Sequence, residues 1–102
     1  MKKTEKLKQM VDYQESSIVS RTLLDKDAGT ITLFAFDVEQ ALSAHTAPYD
    51  AMVYLIEGEA EITIGDDKFS LEEGELIIMP AHIPHALRAT RRFKMLLVMV
   101  KS

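Results

Sequence analysis

The chain has 102 residues, with 12 lysines and arginines against 16 aspartates and glutamates, so its formal net charge is −4. That length favours a single domain, and the acidic balance argues against a nucleic-acid partner, whose binding surface is usually basic. The chain has no cysteine, no apolar run of membrane-spanning length and no secretory signal at its lysine-rich start, so we expect a cytoplasmic protein without disulfides or a membrane partner.

Two parts of the chain differ in their hydrophobic period. Residues 1–15 are typical of an arm or a short amphipathic helix, with Leu7, Met10 and Val11 as candidate anchors. From residue 16 to 102 the period is two, which indicates strands separated by glycine-, proline- and aspartate-rich turns. The predicted strands are 18–24, 30–37, 41–45, 51–56, 60–64, 68–71, 76–79, 85–90 and 93–100. Short strands with no helix between them predict an all-β barrel or sandwich.

Strand alternation predicts which side chains face the interior. His85 has the same parity as Leu87 and Ala89, whereas Arg88 has the opposite parity. We therefore expect His85 to point inward, where an imidazole needs a hydrogen-bond partner or a metal, because an unpaired buried polar group costs roughly 1–3 kcal/mol.

The last predicted strand, 93–100, is apolar on both faces, so both of its faces should be covered. Met52, Tyr54 and Ile56 form a second apolar row that is expected to face outward. Large exposed apolar patches are uncommon on soluble monomers. The sequence therefore predicts a homodimer in which another subunit provides the second cover.

All three histidines of the chain fall in two short segments. His45 lies in the first segment, three residues before a proline, and His82 and His85 lie on either side of a proline in the second. Histidine is the usual protein ligand for first-row metals and titrates near neutral pH. These two segments are therefore the candidate site, and we expect His45 and His85 to share one cavity.

The same two segments resemble the two motifs of the cupin superfamily, specifically those of the small single-domain conserved-barrel cupins. The first motif matches at His45 and Gly58, and the second matches at Gly74, Pro80 and His85. The match spans roughly residues 40–90. This resemblance implies a double-stranded β-helix, also called a jelly-roll barrel, over residues 16–102.

The resemblance also implies a metal site of three histidines and one glutamate, from which this chain departs. Ala47 stands at the position of the second histidine, and Ala51 stands at that of the glutamate. His45 and His85 remain, and His82, which replaces a turn glycine, is the candidate third metal ligand. The candidate cofactor is a divalent metal: zinc, nickel, iron or manganese.

Three classes of function are open. The first is a barrel that binds a small-molecule ligand through His45, Tyr49 and His85 in an otherwise apolar cavity. The second is a metal-dependent enzyme of the dioxygenase, isomerase or lyase type found among cupins, whose catalytic residues are unknown. The third is an accessory protein that acts through its dimer surface. The missing ligands favour the first class over the second. The six methionines are interpreted as gap-filling core residues rather than a ligand pocket.

Overall fold

A computed structural model describes residues 3–101, in which eight strands form one curled antiparallel sheet. A single turn of 3₁₀ helix, Leu7–Gln9, precedes the strands. The strands are β1 (Ile18–Lys26), β2 (Gly29–Phe36), β3 (Ala41–His45), β4 (Asp50–Ile64), β5 (Asp67–Glu72), β6 (Leu76–Met79), β7 (His85–Arg88) and β8 (Phe93–Val100). The predicted all-β class is confirmed. Within residues 3–101, no helix has both the length and the apolar character needed to cross a membrane.

The sheet has two halves that share β4. In the first half the strand order is β1-β2-β8-β4-β6, and in the second half it is β3-β7-β4-β5. Residues 50–58 of β4 belong to the first half, and residues 59–64 belong to the second. Apolar side chains of both halves pack into one core cluster, which is the jelly-roll arrangement.

β4 corrects the prediction of two strands separated by a turn at Glu57 and Gly58. The chain runs through these residues without reversing, and a bulge between Leu55 and Glu57 shifts its register against β8. Gly58 has a φ of 87°, and a Cβ at this position would overlap the carbonyl oxygen of Arg92. Glycine therefore allows β4 to bend from one half of the sheet to the other while β8 stays close.

The alternating apolar residues fill the space between the two halves. Phe36 and Phe93 are fully buried, and their rings stack with centroids 4.4 Å apart. Val53, Leu55 and Ile62 are also fully buried in the same cluster. These residues come from strands of both halves, so the core holds the curled sheet closed.

The N-terminal arm, residues 3–17, covers part of the outer face of the first half. Val11 is buried and packs with Leu33 and Ile56, and the predicted anchors Leu7 and Met10 pack beside them. Ile56 and Tyr54 thus face outward as predicted, but the arm packs over them, so this part of the apolar row is covered by the chain itself. Leu96 of β8 also packs against this cluster, so the chain itself supplies part of the second cover that was expected from another subunit.

Candidate functional site

His45 and His85 form a pair between β3 and β7. His45 is the last residue of β3, His85 is the first residue of β7, and the two are direct partners in the antiparallel register. Their ring centroids lie 4.4 Å apart, and the ring planes meet at 69°. The edge of one ring thus faces the other ring, and the two side chains are close enough to contact one small ligand.

A β-bulge in β3 brings His45 onto the face of His85. Leu42 pairs with Leu87 and His45 pairs with His85, so three residue steps on β3 match two steps on β7. In a regular ladder Ala44 would oppose His85, and His45 would point away from the interior. The extra residue reverses that parity at the end of β3.

Both imidazole rings are held by the same local contact. His45 Nδ1 lies 3.0 Å from the carbonyl oxygen of Ser43, and His85 Nδ1 lies 3.3 Å from that of Ile83. A carbonyl oxygen only accepts hydrogen bonds, so in each neutral ring Nδ1 carries the proton and donates it. Each Nε2 is left with a lone pair, which can accept a hydrogen bond or bind a metal ion.

His85 is the buried member of the pair, and His45 is exposed. Burial lowers the pKa of His85, because the charged ring loses hydration. The charge of protonated His45 lowers this pKa further, while the hydrogen bond to the carbonyl of Ile83 acts in the opposite direction. At neutral pH His85 is therefore a neutral ring with a free Nε2 lone pair.

The two imidazoles line one cavity of about 70 Å³. They are its polar side chains, and the other lining residues are apolar: Phe34, Leu42, Ala47, Ala51, Met79, Leu87, Met95, Leu97 and Met99. Pockets for drug-sized ligands measure roughly 300–1,000 Å³, so the occupant of this cavity is much smaller.

The other two predicted site residues lie outside this cavity lining. His82 is exposed in the turn before β7, with a φ of 67°, and its backbone N–H donates to the carbonyl of Ala47 at 2.8 Å. Tyr49 is half-buried, and the ammonium group of Lys101 lies 5.4 Å from its ring centroid. Within residues 3–101, no three histidine, cysteine, aspartate or glutamate side chains are grouped to hold a metal ion. His82 therefore does not complete a three-ligand set with His45 and His85.

Three methionines are the site residues that sequence reasoning missed. Met79, Met95 and Met99 pack in the core cluster, as the sequence predicts, and they also line the cavity. Strand parity places Met95 and Met99 on one face of β8, but that strand is apolar on both faces, so the sequence does not show which face lines the interior. Parity does not distinguish packed core from cavity wall, because that depends on which side chains face each other across the barrel.

Comparison with known families gives a match between residues 32–101 and the cupin domain model. That segment contains most of β2 and all of β3 to β8, including both histidines of the pair. The chain is a cupin. The predicted barrel type is thereby confirmed together with the family. The comparison with curated proteins gives no match.

Solved structures show the same fold. This cupin is 44% identical to the conserved SPY1581 protein of unknown function from Streptococcus pyogenes, covers 98% of its own length and 88% of that chain, and superposes with a TM-score of 0.94. It is 28% identical to the cupin superfamily protein DSY2733 from Desulfitobacterium hafniense DCB-2, covering 100% and 94% of the two chains with a TM-score of 0.94. The DMSP lyase DddQ from Ruegeria pomeroyi DSS-3 is 21% identical, with 81% and 46% covered and a TM-score of 0.74, and this likeness is one of fold.

The divalent-metal site implied by the cupin resemblance does not fit the residues present here. Ala47 and Ala51, which stand at two of the four ligand positions, contribute methyl groups to the cavity. Among residues 3–101, no aspartate or glutamate belongs to the lining, and two imidazoles do. Catalytic zinc sites usually have three protein ligands that donate nitrogen, oxygen or thiolate. A zinc site with three protein ligands would therefore need one more nitrogen or oxygen donor than this cavity provides.

Proposed function

We propose that this cupin is a binding barrel for a small ligand held between the Nε2 atoms of His45 and His85. The observation that carries the proposal is the shared contact of both Nδ1 atoms with backbone carbonyl oxygens. Since each Nδ1 is occupied in this way, both Nε2 lone pairs are free to accept. The ligand therefore has a hydrogen-bond donor or an atom that accepts an electron pair, and it fits in a cavity of about 70 Å³.

The apolar wall of the cavity suits a ligand with one polar end. A short hydrocarbon tail would replace water along Leu87, Met95 and Leu97, and each buried methylene contributes about 0.8 kcal/mol, or roughly a fourfold gain in affinity. The hydroxyl of such a ligand would donate to the imidazole pair. Linear alcohols from methanol to 1-butanol are therefore suitable probes of hydrogen-bond donation and cavity length.

Titration of nitrogen-labelled protein with each alcohol, followed by NMR, tests the proposal. The Nε2 resonances of both His45 and His85 should move, and affinity should rise with each added methylene until the tail fills the cavity. His85→Ala should abolish the effect. His82→Ala is the matched control, because it removes an exposed histidine outside the cavity lining.

Two results would overturn the proposal. One is that no alcohol moves either Nε2 resonance at concentrations that leave the protein folded. The other is binding that is indifferent to tail length or unchanged in His85→Ala, because the ligand would then lie outside the cavity.

The alternative of a metal-dependent dioxygenase, isomerase or lyase has less support. It requires a metal held with an open position, and the side chains that line the cavity within residues 3–101 include two imidazoles as nitrogen or oxygen donors. The likeness to the DMSP lyase DddQ concerns the fold, and a shared fold does not carry an activity with it. Cytoplasmic location, like the absence of a membrane or nucleic-acid partner, stays a prediction from composition.

A further inference from the structure

The cavity contains a second type of donor besides the imidazole nitrogens. Met79, Met95 and Met99, half of the six methionines of the chain, line the same cavity as His45 and His85. A thioether sulfur is a neutral, soft ligand that binds monovalent copper and is a poor partner for hard divalent ions. The cavity therefore offers imidazole nitrogens and thioether sulfurs, whereas the divalent-metal site implied by the cupin resemblance uses imidazole nitrogens and a carboxylate.

Two of these methionines are the direct cross-strand neighbours of one small residue in the cavity wall. Ala51 of β4 pairs directly with Met79 of β6 on one side and with Met99 of β8 on the other. Direct cross-strand partners have Cβ atoms roughly 4.5–5.5 Å apart, and a methionine side chain extends well beyond its Cβ. The small methyl group of Ala51 leaves space into which either sulfur can turn, because methionine has three rotatable side-chain bonds.

Charge favours a monovalent ion in this cavity. Imidazoles that bind through a ring lone pair and thioethers both carry no charge, and among residues 3–101 no carboxylate lines the wall to balance a cation. The cost of removing an ion from water increases with the square of its charge, so a divalent ion pays about four times as much as a monovalent ion of equal size. Two imidazoles and two thioethers would replace the hydration of copper(I) without any further group.

We propose that the cavity is a copper(I) site formed by Nε2 of His45 and His85 and the sulfurs of Met79 and Met99. The proposal rests on the proposed function, because it uses the same two Nε2 lone pairs. It adds the identity of the ligand and two residues that the alcohol experiment does not test. Met95 supports the site as part of its wall.

Anaerobic competition between the protein and a chromophoric copper(I) chelator tests the proposal. The protein should bind one copper per chain, and His85→Ala should lose it. The double variant Met79→Leu, Met99→Leu should bind at least about tenfold more weakly, since even indirect changes at metal sites cost 10–100-fold in affinity. Leucine conserves the side-chain volume, so the fold should be retained. Met52→Leu is the matched control, because Met52 follows Ala51 in β4, points to the opposite face and lies outside the cavity lining.

NMR of the unmutated protein separates the two proposals. Copper(I) should shift the methyl-carbon resonances of Met79 and Met99 together with both Nε2 resonances, and zinc should leave the methyl resonances in place. Copper(I) that shifts Nε2 but neither methyl, or a double leucine variant that binds as tightly as the parent, would overturn the copper site and leave the imidazole pair as a ligand site. If neither copper(I) nor any alcohol moves the Nε2 resonances, both proposals are wrong.

Discussion

Folding lowers the pKa of His85, and this change makes the stability of the protein depend on pH. Its folded-state pKa lies below the ordinary value of 6.5, chiefly because of burial and secondly because of His45. The unfolded chain therefore takes up a proton at higher pH than the folded chain does. The stabilisation that comes from a neutral His85 is complete above about pH 6.5 and is lost as the pH falls from there through the lowered pKa.

We predict that the free energy of unfolding decreases as the pH drops below 6.5 and that His85→Gln removes this part of the decrease. In His45→Gln the like charge is gone, so the pKa of His85 should rise towards its ordinary value and the slope should shrink without vanishing. Asp37, whose pKa is lowered mainly by its hydrogen bond to Arg92, acts only below its ordinary value of 3.8. Urea denaturation across this pH range measures the effect, and an unchanged slope in His85→Gln would contradict it.

β4 bends at Gly58, and this bend lets one strand belong to both halves of the barrel. A non-glycine residue at positive φ costs roughly 1–2 kcal/mol, and forcing a side chain into a packed space costs roughly 1–3 kcal/mol more. We therefore predict that Gly58→Ala lowers the free energy of unfolding by about 2–5 kcal/mol, the sum of both effects. Urea denaturation of the purified variant measures it.

Gly74→Ala is the matched control for the bend. Gly74 has a similar φ of 85°, but a Cβ there meets no atom within 4 Å. The expected loss is therefore the backbone strain alone, roughly 1–2 kcal/mol. Equal losses in the two variants would show that the close approach of β8 to Gly58 contributes nothing.

The N-terminal arm is fastened to the sheet by Tyr13. Its hydroxyl donates to the Glu57 carboxylate at 2.7 Å, and its ring lies 5.1 Å from the Arg92 guanidinium and 5.0 Å from the Lys94 ammonium. Burial and the hydrogen bond to Glu57 raise the pKa of this tyrosine, so the donor stays protonated.

We predict that Tyr13→Phe destabilises the fold by about 1.5–3 kcal/mol, the range for a hydrogen bond to a charged group. Thermal and urea denaturation provide the measurement. Tyr49→Phe is the control and should change stability by less than about 0.5 kcal/mol, because no hydrogen bond of its hydroxyl is found among residues 3–101. A loss in Tyr13→Phe no larger than that in Tyr49→Phe would mean that the hydrogen bond to Glu57 does not help to hold the arm.

An apolar row on the outer face of the sheet, beside the N-terminal arm, is not covered by residues 3–101 of the chain. It crosses the outer face of the first half of the sheet, one residue per strand: Leu24, Ile31, Val98, Met52 and Ile78. Leu24 is 45% exposed and Ile78 is 52% exposed, and no member of the row belongs to the cluster under the arm. The predicted homodimer would bury this row against a second copy, so the row is where we place its interface.

We predict that light scattering at micromolar concentration gives twice the chain mass of 11.5 kDa. Leu24→Lys combined with Ile78→Lys should give the single-chain mass, because charges at both ends of the row would be buried without partners. Ile83→Lys is the control, since Ile83 is also exposed but lies in the turn before β7. A parent protein that is monomeric under these conditions would refute the dimer.

Local patterns in the sequence determined the all-β class, the inward direction of His85 and the anchors of the arm. Parity and turn chemistry act over a few residues, so one sequence is enough to predict them. The motif resemblance added the barrel type and the match at Gly58, which the family comparison and the φ of that glycine bear out. The same local patterns failed at Glu57, where a bend within one strand has the same sequence signals as a turn between two strands.

Tertiary structure decided the features that depend on residues distant in the chain. The bulge that turns His45 inward is a matter of register between β3 and β7, some forty residues apart, and parity along β3 alone gives the opposite face. The cover of Leu96 by the arm and the position of Met79 and Met99 on either side of Ala51 likewise depend on which strands become neighbours. Such contacts depend on the packing of the whole barrel. A strand could pair with a neighbour in several registers that differ by two residues and still bury the same apolar face, so its own sequence does not fix the partner residues.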